Sequence, residues 1–239
     1  MNTPKKSRWS SVVIALFASS MAAWAENGDL WNNFEVGTRS TWIYLTDHQR
    51  PITATSADAG SFYGSINQLN PVQNYWPLGI FVDYKLCPYC GLELTYDFFS
   101  VRTITREDGH TDGDLNLLGV LPSFFVRYPT ELGLTPFAGA GISYYHVNFD
   151  EDPSWHDPPG RGEMQIMDFD HTYGLFAYGG LMWTFVEHWS AELYVRYTKM
   201  DAQGVHWQGP DNGSPLYPGG APSFPLSNVA TSLGLRYSF

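Results

Sequence analysis

The chain has 239 residues, of which 44% are hydrophobic and 16% are aromatic. Its formal charge is −11, from 13 Lys and Arg against 24 Asp and Glu. This surplus of acids argues against nucleic-acid binding, because phosphates are bound by clustered cations, and the aromatic content argues against a disordered chain.

The beginning of the chain predicts an export signal. Three basic residues precede an apolar run over residues 9–17, and residues 23–25 (Ala-Trp-Ala) form a cleavage pattern. The run is shorter than the roughly 20 apolar residues that a spanning helix requires; a permanent N-terminal anchor is the alternative. We therefore expect residues 1–25 to be a signal peptide and residues 26–239 to be one domain. Removing three bases leaves 10 Lys and Arg against 24 Asp and Glu, a charge of −14.

Eight segments of the domain alternate between bulky apolar and small or polar residues, the period-two pattern of a β-strand. The predicted strands are 34–46, 77–86, 91–105, 114–128, 136–149, 172–186, 189–200 and 228–239. Each has room for the roughly 9–11 residues that a tilted strand needs to cross a bilayer. The connections alternate between tight turns, near 87–90, 129–135 and 187–188, and mostly long segments, near 47–76, 106–113, 150–171 and 201–227. That alternation is typical of transmembrane barrels, with short turns at one end and long loops at the other.

The alternation also predicts which side chains face inward. One face of the strands is apolar, as in the row Leu78, Ile80, Val82, Tyr84 and Leu86, whereas the glycines of 136–149 leave its phase open. The other face carries five acids and five bases: Glu35, Arg39, Asp83, Lys85, Glu93, Asp97, Arg127, Glu192, Arg196 and Arg236. Because a buried charge is tolerated only when paired, this balance predicts a charge network in a narrow interior. The alternative is a soluble sheet with a solvated polar face, which would need a second layer over its apolar rows.

Several stretches together resemble a known family. They are the terminal strand ending in Tyr237 and Phe239, the glycine-rich segments 137–144 and 178–183, and the strand 189–198. They resemble the small outer-membrane barrels of the OmpA, OmpX and OmpW kind, and the resemblance covers nearly all of the domain. It implies an all-β fold, an eight-stranded antiparallel up-and-down transmembrane β-barrel with long extracellular loops.

The resemblance also implies a location and partners. It places the protein in the Gram-negative outer membrane, in contact with outer-membrane lipid and lipopolysaccharide, and it calls for no cofactor. In these barrels the barrel-assembly machinery reads the last strand and its final aromatic. We therefore expect Phe239 and Tyr237 to form the assembly signal.

Cys87-Pro88-Tyr89-Cys90 has the spacing of a redox motif. In thioredoxin-like folds that motif opens a helix after a strand, whereas here it lies at a tight turn between two predicted strands. After export it would meet an oxidising compartment, so we expect a structural disulfide between Cys87 and Cys90. Free thiols, redox activity and metal binding are the alternatives.

The segment 150–171 is crowded with carboxylates and contains a single base, Arg161. Its candidate cation ligands are Asp150, Glu151, Asp152, Asp168 and Asp170. Such a density of like charge favours bridging by hard divalent cations through oxygen, although a merely solvated acidic loop is the simpler reading. The histidines lie mostly in or beside the loops, without the His–Ser spacing of a hydrolytic site on a strand, so we assign no catalytic residue and no firm metal site.

Three functions follow from an eight-stranded barrel, whose interior is filled by side chains or holds one small ligand. The first is a non-enzymatic barrel, structural or interacting through its extracellular loops. The second is an OmpW-like conduit or binder for small apolar solutes. The third is a lipid A-modifying enzyme. The Pro-rich segment 201–227 could either cap the barrel mouth or clasp a ligand there.

Overall fold

The computed structural model describes residues 32–47, 66–70, 72–105, 113–156, 163–210, 217–220 and 223–239. These residues form strands β1 (Phe34–Leu45), β2 (Ile66–Leu69), β3 (Val72–Cys87), β4 (Cys90–Thr105), β5 (Gly113–Arg127), β6 (Leu134–Glu151), β7 (Glu163–Phe169), β8 (Thr172–Val186), β9 (Trp189–Pro210), β10 (Tyr217–Gly220), β11 (Ser223–Pro225) and β12 (Asn228–Ser238), with one helical turn, α1 (Pro153–His156). Within these described ranges no helix is long and apolar enough to cross a membrane.

Eight of the strands close into a ring, which confirms the predicted barrel. The order is β12-β1-β3-β4-β5-β6-β8-β9, and β9 pairs back with β12, each pair being antiparallel. The ring corresponds strand by strand to the eight predicted segments. Most ends agree within about two residues, but β3 begins five residues earlier than predicted and β9 continues ten residues further.

The two ends of the barrel differ. The end with the tight turns, such as Pro88–Tyr89 between β3 and β4, is called the inner end below. The opposite end is called the outer end, and there β9 extends beyond the wall. It pairs with β7 on one side and with β11 and β10 on the other. We call this extension the outer sheet. Part of the segments predicted as long loops is therefore β-structure. Pairing between strands satisfies backbone N–H and C=O groups that a loop would leave to water.

The wall has an apolar outer face and a mixed inner face. The outward positions include large exposed side chains on every strand of the ring: Trp42, Ile80, Leu92, Phe98, Leu118, Phe124, Ile142, Leu175, Leu193 and Leu233. In β6, whose phase the sequence left open, Ser143 and Tyr145 point inward and Ile142 outward. Glycines make room for large rings inside the narrow barrel: a Cβ at Gly119 would lie 2.3 Å from the ring of Tyr145.

Candidate functional site

The inner half of the barrel interior contains an extended ion-pair network, and Arg236 on β12 joins three acids within it. Its guanidinium donates to Glu35 at 2.6 Å, to Glu192 at 2.9 Å and to Asp83. The same guanidinium lies over the ring of Phe81, 4.6 Å from the centroid. One cation thus bridges strands β1, β3 and β9 from β12, across the seam where the first and last strands meet.

Arg39 on β1 is the second centre of the network. It binds both carboxylate oxygens of Glu93, at 2.9 and 2.7 Å, and it donates from Nε to Glu192 at 2.5 Å. Its guanidinium carbon lies 3.9 Å from the ring centroid of Phe81 and 4.1 Å from that of Tyr194. A bidentate pair between two aromatic faces fixes the orientation of this cation.

Glu35 forms ion pairs with the remaining bases of the network, at the inner end of the barrel. Arg127 donates to both of its carboxylate oxygens at 3.0 Å, and Lys85 Nζ lies 3.6 Å from Oε1. Ser238 on the last strand also donates to Glu35, at 3.2 Å. Lys85 and Arg127 keep some exposure, 20% and 11%, so the network meets water at this end.

A separate pair lies further toward the middle of the barrel. Arg196 on β9 donates to Asp97 on β4 at 2.6 Å, and the hydroxyl of Tyr145 donates to the same carboxylate oxygen at 3.0 Å. Both charged side chains are at most 4% exposed. The structure therefore places all ten charged residues of the predicted inward rows on the interior side of the wall, as one network and one pair.

The outer half of the interior is mostly apolar, with buried hydroxyl and amide groups among its apolar side chains. Above the pair of Arg196 and Asp97, the barrel is filled by side chains from several strands and from the outer sheet: Ile43, Leu45, Phe99, Val101, Leu115, Leu117, Val147, Met200, Phe224 and Leu226. Phe169, the last residue of β7, packs against this group, with its ring 5.3 Å from that of Phe224 and 6.2 Å from that of Phe149. Among the described residues, the outer sheet therefore caps the barrel.

The inner half of the interior contains a small cavity. A cavity of about 10 Å³ lies in the inner half between Asp83, Glu93, Arg127, Tyr178 and Arg236, among other residues. A volume of this size holds about one water molecule. The described interior is thus crossed by an ion-pair network in its inner half and filled mostly by apolar side chains in its outer half.

The two cysteines lie opposite each other at the inner end, on either side of the two-residue turn between β3 and β4. They are thiols in the structure. The hydrogen bond from Cys90 lowers the pKa of the Cys87 thiol, and the backbone N–H of Tyr89 donates to Cys87 Sγ at 3.3 Å. The disulfide stays a prediction for the oxidised protein; the register pairs the two residues directly with each other.

The predicted assembly signal lies at the end of the closing strand. The ring of Phe239 is 42% exposed and contacts Tyr237, with centroids 5.1 Å apart. The backbone N–H of Phe239 donates to Phe34 at 3.3 Å, so the last residue is held to the first strand. Recognition by assembly machinery stays a prediction.

The predicted cation ligands of 150–171 are partly engaged with other groups. Asp150 accepts from Asn116 at 2.7 Å, and Glu151 accepts from the backbone of Met167 at 2.7 Å and contacts His156 at 2.7 Å. The others are at least partly exposed: Asp152, Asp168 and Asp170. Within the described parts of the chain, no three His, Cys, Asp or Glu side chains are grouped to hold a metal ion. The divalent-cation site stays a prediction.

One group of polar side chains was missed by the sequence analysis. His146 on β6 and His171, just before β8, bring their Nδ1 atoms within 3.4 Å on the outer surface. The two histidines are 25 residues apart in the chain, so only the register reveals their contact: Tyr145 pairs with Thr172, and each histidine is the next residue of its segment toward the outer end. Of the other histidines considered, His48 and His110 lie outside the described residues.

Comparison with known proteins gives matches in structure only. No family model matches the sequence, and no curated protein matches it. The crystal structure of the outer membrane protein OprG from Pseudomonas aeruginosa is similar with a TM-score of 0.61 at 17% identity, over 86% of this chain and 95% of OprG. The solid-state NMR structure of AlkL in lipid bilayers is similar with a TM-score of 0.55 at 14% identity, over 87% of this chain and 90% of AlkL. The chain therefore has the fold of the small eight-stranded outer-membrane β-barrels.

Proposed function

We propose that the protein is a non-enzymatic barrel of the bacterial outer membrane, with a lumen that does not conduct, and that it acts through its outer sheet and outer segments. Its apolar outer face would contact lipid, and its outer rim would contact lipopolysaccharide. A cation at the midplane of that face would cost about 2–4 kcal/mol, whereas the bases of the wall interior are paired with acids.

The observation that carries the proposal is the filled interior. Ion transport needs a continuous wet path, and here the network around Arg39 and Arg236 blocks the inner half. The cap around Phe224 blocks the outer half. Since the barriers lie in series, opening one of them leaves the other closed. What remains available to a partner is the structure beyond the outer rim.

Conductance tests the closed lumen. The full chain, folded and inserted in planar lipid bilayers, should show no stepwise conductance. Phe224→Gly trims the apolar barrier alone and should stay closed, because the ionic barrier persists. Insertion is checked independently by heat-modifiable mobility of the reconstituted protein. Large, reproducible single-channel steps from the unaltered protein would refute the proposal.

Labelling of intact cells tests which end faces outward. In a Cys87→Ser, Cys90→Ser background, a membrane-impermeant thiol reagent should label Gln203→Cys in the outer sheet. It should not label the matched position Glu187→Cys at an inner turn until the envelope is opened. Both positions are exposed, so access alone decides the result. The opposite labelling pattern would show that the inner turns face the medium.

A second candidate is a conduit for small apolar solutes, favoured by the apolar lining of the outer half of the interior. It requires the cap of Met167, Phe169 and Phe224 to move aside and the solute to leave through the wall. An apolar fluorescent probe should then cross protein-containing vesicles faster than protein-free ones. The closed-barrel proposal expects equal rates. Turnover of labelled lipid A by the purified protein would instead support the enzyme alternative.

A further inference from the structure

The histidine pair lies at the outer edge of the wall, away from the interior. His146 and His171 are both exposed, and their neighbours Tyr144 and Tyr173 face the same side. Tyrosines favour the interface between hydrocarbon and headgroups, where an apolar ring and a polar hydroxyl are both accommodated. The two imidazoles therefore lie at the water-facing rim of the apolar belt.

The distance between the two imidazoles suits a metal ion better than it suits a hydrogen bond. Their Nδ1 atoms are 3.4 Å apart, longer than the roughly 2.7–3.2 Å usual for bonds donated by N–H. In tetrahedral coordination with Zn–N bonds of about 2.0–2.1 Å, two ligand nitrogens are separated by about 3.3–3.4 Å. The separation between the two histidine nitrogens therefore matches the spacing of two ligand atoms around a tetrahedral zinc ion.

Ring packing holds the two ligands in place before any ion binds. The ring of His171 lies 5.1 Å from that of Tyr144 and 5.2 Å from that of His146. Tyr144 in turn packs on Tyr173 at 5.1 Å. Pre-oriented ligands lose less conformational freedom on binding, which raises affinity for a given set of bonds.

We propose that His146 and His171 form a surface site for one transition-metal ion of the Zn²⁺, Ni²⁺ and Cu²⁺ group. Neutral imidazole suits these ions, whereas Ca²⁺ and Mg²⁺ prefer oxygen ligands. Two protein ligands leave two positions open, which water or an anionic oxygen from the surroundings fills. This site is distinct from the carboxylates of 150–171 in its ligands and in the ions that it selects.

Zinc titration of the folded, detergent-solubilised protein tests the site. In the Cys87→Ser, Cys90→Ser background, isothermal calorimetry with Zn²⁺ alone should show one ion per chain. Replacing His146 or His171 by Gln should each lower the affinity by at least about tenfold, the effect of losing even an outer-shell partner in known sites. His188→Gln is the matched control: this histidine is exposed at the inner end, contacts Ser238 at 2.9 Å, and should leave zinc affinity unchanged.

Two further readouts separate loss of ligation from loss of structure. Imidazole ¹⁵N spectra of the unaltered protein should show zinc-dependent shifts at Nδ1 of both histidines, and excess Ca²⁺ should not compete. The Gln variants should keep their heat-modifiable mobility, because both side chains are exposed. Absence of zinc binding, equal affinity in all four proteins, or the same loss in His188→Gln would each overturn the proposal.

Discussion

The pair of Arg196 and Asp97 allows the most direct test of the interior electrostatics, because it is separate from the larger network. Arg196→Met leaves the Asp97 carboxylate with the hydroxyl of Tyr145, and Asp97→Asn leaves the Arg196 cation without its acid. The two side chains are 4% and 1% exposed, so water cannot replace the missing partner. Removing one member of such a pair costs about 3–5 kcal/mol of unfolding free energy.

The double variant shows whether the two charges stabilise the protein as a pair or independently. If the two residues acted independently, their substitutions would add to about 6–10 kcal/mol. In the double variant neither charge is left alone, so we expect it to be no less stable than the weaker single variant. The resulting coupling energy should be at least about 2 kcal/mol, as for other close charge pairs.

Urea unfolding in lipid vesicles, followed by tryptophan fluorescence, measures the four stabilities of this cycle. The matched control is the exposed pair of Arg102 and Asp114, 3.2 Å apart and 59% and 37% exposed. Its cycle of Arg102→Met and Asp114→Asn should give a coupling of only about 0–1 kcal/mol. Additive losses for the interior cycle, or equal couplings in the two cycles, would refute the reasoning.

Four other outcomes are expected. Deleting Phe239 should lower the heat-modifiable folded fraction in cells, whereas unchanged folding would count against its role in assembly. Protein from an oxidising compartment should resist alkylation at Cys87 and Cys90 until it is reduced; immediate labelling of both would contradict the disulfide. Burial lowers the pKa of His206 to about 4, so the outer sheet should lose protease resistance as the pH falls from about 6.5 toward 4, and His206→Phe should remove this dependence. Calcium should protect residues 150–171 from protease at low salt until a chelator is added; equal cleavage would leave a solvated acidic loop.

The wall of the barrel was predictable from sequence because its determinants are local. Alternation along each strand decides which side chains face lipid and which face inward, and the turn lengths decide which strands are neighbours. The residues missed in β9 show the limit of this argument. Residues 201–210 include two glycines and a proline, and they form a strand because β7, β10 and β11 pair with them from elsewhere in the chain.

The interior residues were predictable as a set, but most of their contacts were not. Alternation places Arg39 on the inner face, but the acids that bind it lie on β4 and β9. The positions of those acids along the barrel axis depend on the strand register around the whole ring. The contact between Arg236 and Glu35 is easier to infer, because these residues lie on the last and the first strand, which must meet in a closed barrel. The pair of His146 and His171 required the register of β6 with β8, which glycines hide in the sequence.

The network also has a consequence for how the chain reaches its closed form. Its partners are far apart in sequence: 201 residues separate Arg236 from Glu35, and 153 separate Arg39 from Glu192. A sheet that lacks β12 would hold Glu35, Asp83 and Glu192 without the cation that joins them. The interior becomes neutral only when the last strand docks on the first. High contact order of this kind slows folding, and it makes half-closed sheets electrostatically costly, so closure is expected to be a cooperative, all-or-none step.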